Sequence, residues 1–271
     1  MKNKDLFIVD IGANLSHRSF QSDLQQVIDG AKAAGIGHII VTGTDLDSIE
    51  SARKIALKFP GYITTTAGYH PHVASDFDEI ALHKIKKFIR STDVVAVGEI
   101  GLDFNRNYST PKEQVEAFTK QLELACEVNK PVFLHQRDAH DSFLNILKEY
   151  RPHLPSGVVH CYTDSKEALY DYLDLDLYIG ITGWICDKRR GLELQDLVSD
   201  IPPDRLLIET DAPYLLPRSL KPMPKTRRNE PRYLIEILQT ISRCTGRSSQ
   251  AIAEETTLNA QSLFNLNFDR N

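Results

Sequence analysis

Residues able to hold a divalent cation recur at comparable places along this chain, each at or just past the end of a short apolar, β-branched run. His70 stands in Gly68-Tyr69-His70-Pro71-His72, and Glu99 in Val97-Gly98-Glu99-Ile100-Gly101-Leu102-Asp103. His135 closes Phe133-Leu134-His135, His160 falls in Val158-Val159-His160-Cys161, and Asp211 in Ile208-Glu209-Thr210-Asp211-Ala212-Pro213. One polar residue at an apolar strand end means little; five at matching positions are hard to obtain by chance. Imidazole nitrogens with carboxylate oxygens suit a borderline divalent ion, and an incomplete protein shell leaves positions for water and substrate. Such an ion polarises a phosphoryl or carbonyl oxygen and activates water, which is hydrolase chemistry. Glu99, His135, His160 and Asp211 are the expected ligands. Asp211, where not bound throughout, is also the expected base for the attacking water, with Glu99 and His70 as further catalytic candidates. His72, following Pro71, serves as well as a backbone cap as it would in a site. His17, His38, His83, His140 and His153 are read as helical or loop residues with structural roles. Cys161 should point away from His160 along an extended backbone and is read as packing.

Residues this far apart meet only if a fold brings their strand ends to one face. The apolar runs are Leu6–Ile11, His38–Thr42, Tyr62–Ala67, Val94–Val97, Pro131–Leu134, Gly157–Val159, Leu177–Ile181 and Arg205–Ile208. They are apolar on consecutive positions, as suits parallel strands buried on both faces. Helical periodicity fills the gaps. Gln21 to Ala34 ends at Gly35, Asp47 to Phe59 stops before Pro60, and Thr110 caps a helix with Pro111 at its first position and Glu113 closing a capping box. Asn229 caps a helix opening at Glu230–Pro231, and the tail reads as two short helices over 248–266 packed on the rest. Eight strand–helix units predict a TIM-type (β/α)8 barrel spanning 1–271 as one domain, whose strand C-termini share a face. An open doubly wound sheet is the runner-up.

Bulk properties narrow the function. With 271 residues, 41% hydrophobic and 25% charged, the chain can bury a large core. A net charge of −5 excludes a uniformly basic coat for duplex DNA but permits a local basic site. The four cysteines show no CxxC spacing, as expected of thiols in a reducing cytoplasm. The apolar stretch Leu6–Val9 is interrupted by Asp10 and is too short for a secretion signal or a membrane span. A cytoplasmic monomer with no membrane partner is expected.

GEIGLD, FLH, HCY and ETDAP, in this order, resemble the motifs of the TatD family of metal-dependent deoxyribonucleases, and RRNEP (227–231) and TTLNAQSLF (256–264) extend the likeness over nearly the whole chain. The resemblance implies an amidohydrolase-type barrel with Glu99, His135, His160 and Asp211 as metal or catalytic residues and His70 in support. One segment departs from it. Most branches carry a His-x-His pair on strand one, where this chain has Asp10-Ile11-Gly12-Ala13-Asn14-Leu15. Gly12 offers no ligand and Asn14 only an amide oxygen, so one of two family metal positions should be weakened, lost or built differently. That pattern is similar to the branch after which the family is named, implying a magnesium-dependent 3′–5′ exonuclease on single-stranded DNA and RNA, with a role in repair of oxidative damage. Magnesium, preferring oxygen and water, fits the loss of two imidazoles; manganese and zinc remain open.

Two loops carry cations suited to phosphate. Lys188, Arg189 and Arg190 follow strand seven; Arg218, Lys221, Lys225, Arg227 and Arg228 follow strand eight with no acidic residue from Ala212 to Asn229. Arg137 and Arg106 could add to the site. Tyr69, Phe104, Tyr108, Tyr162, Trp184 and Tyr214 fall just past strand ends, where they could stack bases or lid the core. The substrate contacts expected are therefore Arg137, Arg106, Tyr69, Lys188, Arg190, Arg227 and Arg228. Hydrolysis of a small amide, ester or lactone would need no basic loops, and a non-catalytic scaffold would not need the ligand set.

Overall fold

The structure, a computed structural model, describes residues 6–268. Eight parallel strands pair in chain order: β1 Ile8–Ala13, β2 Ile36–Val41, β3 Ile63–Ala67, β4 Val94–Asp103, β5 Val132–Arg137, β6 Gly157–Val159, β7 Tyr178–Ile181 and β8 Leu206–Ile208. Helices α1 (Leu24–Ala33), α2 (Leu46–Lys58), α3 (Glu79–Ile89), α4 (Pro111–Val128), α5 (His140–Tyr150), α6 (Lys166–Asp174) and α7 (Leu192–Leu197) connect them, and α8 (Leu234–Thr245) and α9 (Ser249–Phe264) follow β8. This is a TIM-type barrel, not the open sheet.

The capping signals act as read. Thr110 and Glu113 form a capping box that starts α4, Asp45 and Ser48 form another at α2, and Gly35 takes a positive φ of 90° after α1. Four local expectations need correction. β4 runs six residues past Val97, so Glu99 lies inside the strand rather than after it. His38 belongs to β2, buried, with Nε2 2.9 Å from the Thr64 hydroxyl. Asn229 does not open α8; its amide donates to the Thr210 carbonyl at 2.8 Å, and α8 starts only after a 3-10 turn at Pro231–Tyr233. The tail is one helix, α9, and not two.

β1 and β8 meet through a seam rather than a full ladder. An isolated bridge joins Ala13 to Ala212, and the buried Asp10 carboxylate accepts from the Thr210 amide (2.9 Å) and hydroxyl (2.6 Å). α9 ties the other end of this seam. Thr257 donates to the Phe7 carbonyl, and the Asn259 amide donates to those of Pro203 and Leu206, each at 2.8 Å. Ala260, Leu263 and Phe264 of α9 join the barrel's inner apolar cluster with Val9, Phe133 and Leu207, closing the face opposite the strand C-termini.

Candidate metal centre

β4 pairs with β5 where the site forms, Gly101 opposite His135. Gly101 has φ +148°, and a Cβ there would sit 1.8 Å from the His135 carbonyl, so only glycine fits. This approach brings Glu99 under three imidazoles. His160 Nε2 lies 2.8 Å, His135 Nδ1 2.9 Å and His70 Nε2 3.2 Å from the same oxygen, Glu99 Oε1. Glu99 is buried, and one donor atom each of His70, Glu99 and His135 fall within 4.8 Å of one another.

The group behind each ring sorts the three histidines. Behind His160, Nδ1 faces Glu209 Oε2 at 3.4 Å; behind His135, Nε2 faces Asp103 Oδ2 at 3.6 Å. Neither contact is a hydrogen bond, and the close bonds of both rings run to Glu99; with a cation at Glu99, these carboxylates would be placed to take the ring N–H, the usual support of a metal-bound histidine. His70 is built the opposite way. The His72 amide donates to its Nδ1 at 3.1 Å, so a neutral ring carries its proton on Nε2, the atom facing Glu99. Among the described residues, His70, Glu99 and His135 are the donors close enough to share a cation, and His160 meets the same Glu99 oxygen.

Asp211, with a positive φ of 53°, is fixed by its own amide on the Gly12 carbonyl (2.8 Å) and by the Asn14 amide on Oδ1 (2.9 Å). It lies outside the tightest donor group but feels the charges of Glu99 and His160. Burial, with Glu99 and Glu209, pushes its carboxyl up to about 7, against His160 and the Asn14 bond. Burial likewise pushes His70 down to about 4, keeping the ring neutral. Burial opposes charge on His160 too, yet Glu99 and Glu209 hold it well above its ordinary value. The donor set fits a divalent cation: the Glu99 carboxylate and the imidazole nitrogens of His70 and His135 lie within 4.8 Å of one another, with His160 on the same oxygen.

A family model for TatD-related DNases matches residues 9–265. The chain belongs to the TatD-related DNase family. A "3′-5′ ssDNA/RNA exonuclease TatD" of Erwinia billingiae is 50% identical over 257 residues, covering 95% of this chain and 98% of that one. Its Klebsiella pneumoniae counterpart of the same name is 49% identical over 95% of this chain and 97% of its own. Among solved structures, a TatD family hydrolase of Entamoeba histolytica superposes with a TM-score of 0.87 at 27% identity, covering 95% of this chain and 97% of its own. A TatD homologue of Escherichia coli gives 0.85 at 28%, over 96% and 98%.

Within this TatD-family barrel, two carboxylates beside the site escaped the sequence reading. Asp103 is buried, accepts from His72 Nε2 (2.6 Å) and from the Asn105 and Arg106 amides, and stands behind His135. Burial works against its charge, but His135 and His72 hold the carboxyl well below its usual range. Its signal was the strand period, since Glu99, Gly101 and Asp103 share one face of β4. Glu209 is fully buried, with Oε1 accepting from the Cys161 amide at 2.6 Å. Its Oε2 occupies the space over Gly12, where a Cβ would approach to 2.3 Å. The first residue of the missing histidine pair is therefore replaced by room for Glu209, and the second, Asn14, holds Asp211. Cys161 contributes its backbone to this arrangement, its sulfur resting 3.7 Å from the Thr182 hydroxyl.

The rim is less uniform than its composition suggested. Lys188, Arg190, Arg227 and Arg106 are exposed on the loops after β7, β8 and β4, and Arg137 is exposed at the end of β5. Arg228 is not available: it bonds Asp23 (2.7 Å), Glu230 (2.9 Å) and the Ser19 carbonyl while covering Phe20. Tyr69 is also withdrawn, its ring buried against Phe77 and its amide bonded to Gln121. Tyr162 is buried too, whereas Tyr108 and Tyr214 are exposed. No helix among the described residues is long and apolar enough to cross a membrane.

Proposed function

We propose that the chain is a metal-dependent 3′–5′ exonuclease of single-stranded DNA and RNA. The observation that carries this reading is the convergence of His135 and His160, each carboxylate-backed, on Glu99 at the barrel mouth beside Asp211. The half-identical relatives bearing that name support the substrate and direction. When bound, a divalent ion would activate water and stabilise charge developing on the phosphoryl oxygens. Glu99, His135, His160 and Asp211 would hold it. Magnesium would draw on the carboxylates, while the two imidazoles add affinity for manganese or zinc.

The residues divide the remaining work. Asp211, kept in place by Asn14 and raised towards neutrality, accepts the proton of the attacking water on the oxygen that Asn14 leaves free. His70 presents Nε2–H and donates to a non-bridging oxygen of the scissile phosphate. Asp103 and Glu209 hold the ligand rings in the tautomer that faces the centre. We propose Arg190, Arg227, Lys188, Arg137 and Arg106 as the cations that meet neighbouring phosphates, in a monomeric, cytoplasmic enzyme.

A 5′-labelled single strand tests the proposal. With metal, the label should remain in progressively shorter products, and EDTA should stop the ladder. Immediate release of a labelled 5′ mononucleotide would refute the direction. Equal cutting of closed circles would refute exonuclease action itself.

A further inference from the structure

The loops after β7 and β8 enclose a cleft of about 540 Å³ that the metal centre does not use. The two loops meet because residue 183 is glycine; a Cβ there would lie 2.0 Å from the Leu215 carbonyl. The cleft wall is formed by Trp184 and the aliphatic Leu215 and Met223, with Arg190, Arg218 and Arg227 around them. Trp184 is held by its indole N–H, which donates to the Arg190 carbonyl at 3.2 Å, and the Arg190 guanidinium stands 5.9 Å from the ring centre. Arg218 is answered by Asp187 at 3.1 Å. Among the described residues, Arg190 and Arg227 have no carboxylate partner. An ordered aromatic face beside two uncompensated guanidiniums, on a chain of net charge −5, matches a planar base with phosphates on either side.

Its position relates it to the strand's path. Gly180 of β7 packs against the His160 backbone, and Gly183 follows three residues later, at most about 11 Å away along an extended chain. A strand with its scissile phosphate at Glu99 and His160 passes the cleft within a few nucleotides. The scissile phosphate is met at the centre, so Arg190 and Arg227 need other phosphates, and only the uncleaved remainder of the strand supplies them. We propose that this cleft is a subsite for a nucleotide of the retained strand, its base stacked on Trp184 and its phosphates on Arg190 and Arg227; the substrate class rests on the exonuclease reading.

Trp184 is the sole tryptophan of the chain, so its fluorescence reports on this cleft alone. In EDTA, an oligothymidylate of about ten nucleotides should quench it saturably, and a dinucleotide should not. With metal, Arg190→Ala/Arg227→Ala and Trp184→Ala should raise KM for that strand about tenfold or more. Trp184→Phe should restore most of what Trp184→Ala loses. Absent quenching together with unaltered KM in the variants, while the wild type still degrades single strands, overturns the subsite and leaves the exonuclease reading standing. Equal quenching by blunt duplex also overturns it, because paired bases cannot stack on the indole. Saturable quenching by a protein that hydrolyses no strand under any metal supports the subsite and defeats the exonuclease reading instead.

Discussion

Glu209 governs His160 through the identity of one atom. Its Oε2 faces His160 Nδ1, and its Oε1 is taken by the Cys161 amide. In Glu209→Gln the oxygen can stay on Cys161, which turns an NH2 towards Nδ1. The ring must then accept there and carry its proton on Nε2, the atom needed by the cation. Metal affinity and activity should both fall about 10–100-fold, with the fold retained; unchanged manganese affinity by calorimetry would show that Glu209 is only filler. Arg228 answers a different question. Because its guanidinium is spent on Asp23 and Glu230, Arg228→Ala should cost stability rather than substrate affinity, about 1–2 kcal/mol for a partly solvent-screened network with a ring contact. The Arg228 bond holds the Asp23 carboxyl below its ordinary 3.8, with burial opposing. A lowered folded pKa stabilises above the unfolded value, so the Tm gap between wild type and variant should be full above pH 3.8 and close as pH falls below it. A gap that widens in acid, or a raised KM for single strands, would contradict this assignment.

At the level of elements, the barrel was readable because each strand is a short apolar run buried on both sides, and helices announce their starts through side-chain caps such as Thr110–Glu113. Glu99, His135 and His160 were readable for the same reason: each is a polar residue that interrupts an apolar run. Asp103 was signalled only by sharing a face of β4 with Glu99, and Glu209 was hidden, because which ring each stands behind is a pairing between strands that no local pattern records. Arg228 and Tyr69 misled because exposure is decided by partners distant in sequence, Asp23 and Gln121. α9 shows how much a terminal element can carry. Asn259→Ala would orphan the Pro203 and Leu206 carbonyls under the barrel, and should destabilise the protein by roughly 2 kcal/mol. Urea unfolding measures it; a loss near zero would mean that water or a neighbouring group replaces the amide.

For the molecule as a whole, strand one decides the metal count. With Gly12 reserved for Glu209 and Asn14 committed to Asp211, no imidazole from β1 reaches the centre, and elemental analysis of protein purified without added metal should give no more than one firmly held ion per chain. Two would demand ligands outside the set described. The seam between β1 and β8 also bears on how the molecule comes into being. Asp211 is placed by Gly12 and Asn14 from the start of the chain, and the seam is tied off by α9 at its end. Chains leave the ribosome N-terminus first, at about 5–20 residues per second. Glu99, His135 and His160 all precede β8 and α9, so Asp211 can be seated only after β8, and the seam tied off only after α9, has emerged. On the proposed reading, the order of synthesis acts as a safety catch: a nascent nuclease beside its own messenger RNA stays inert until β8 and α9 are released.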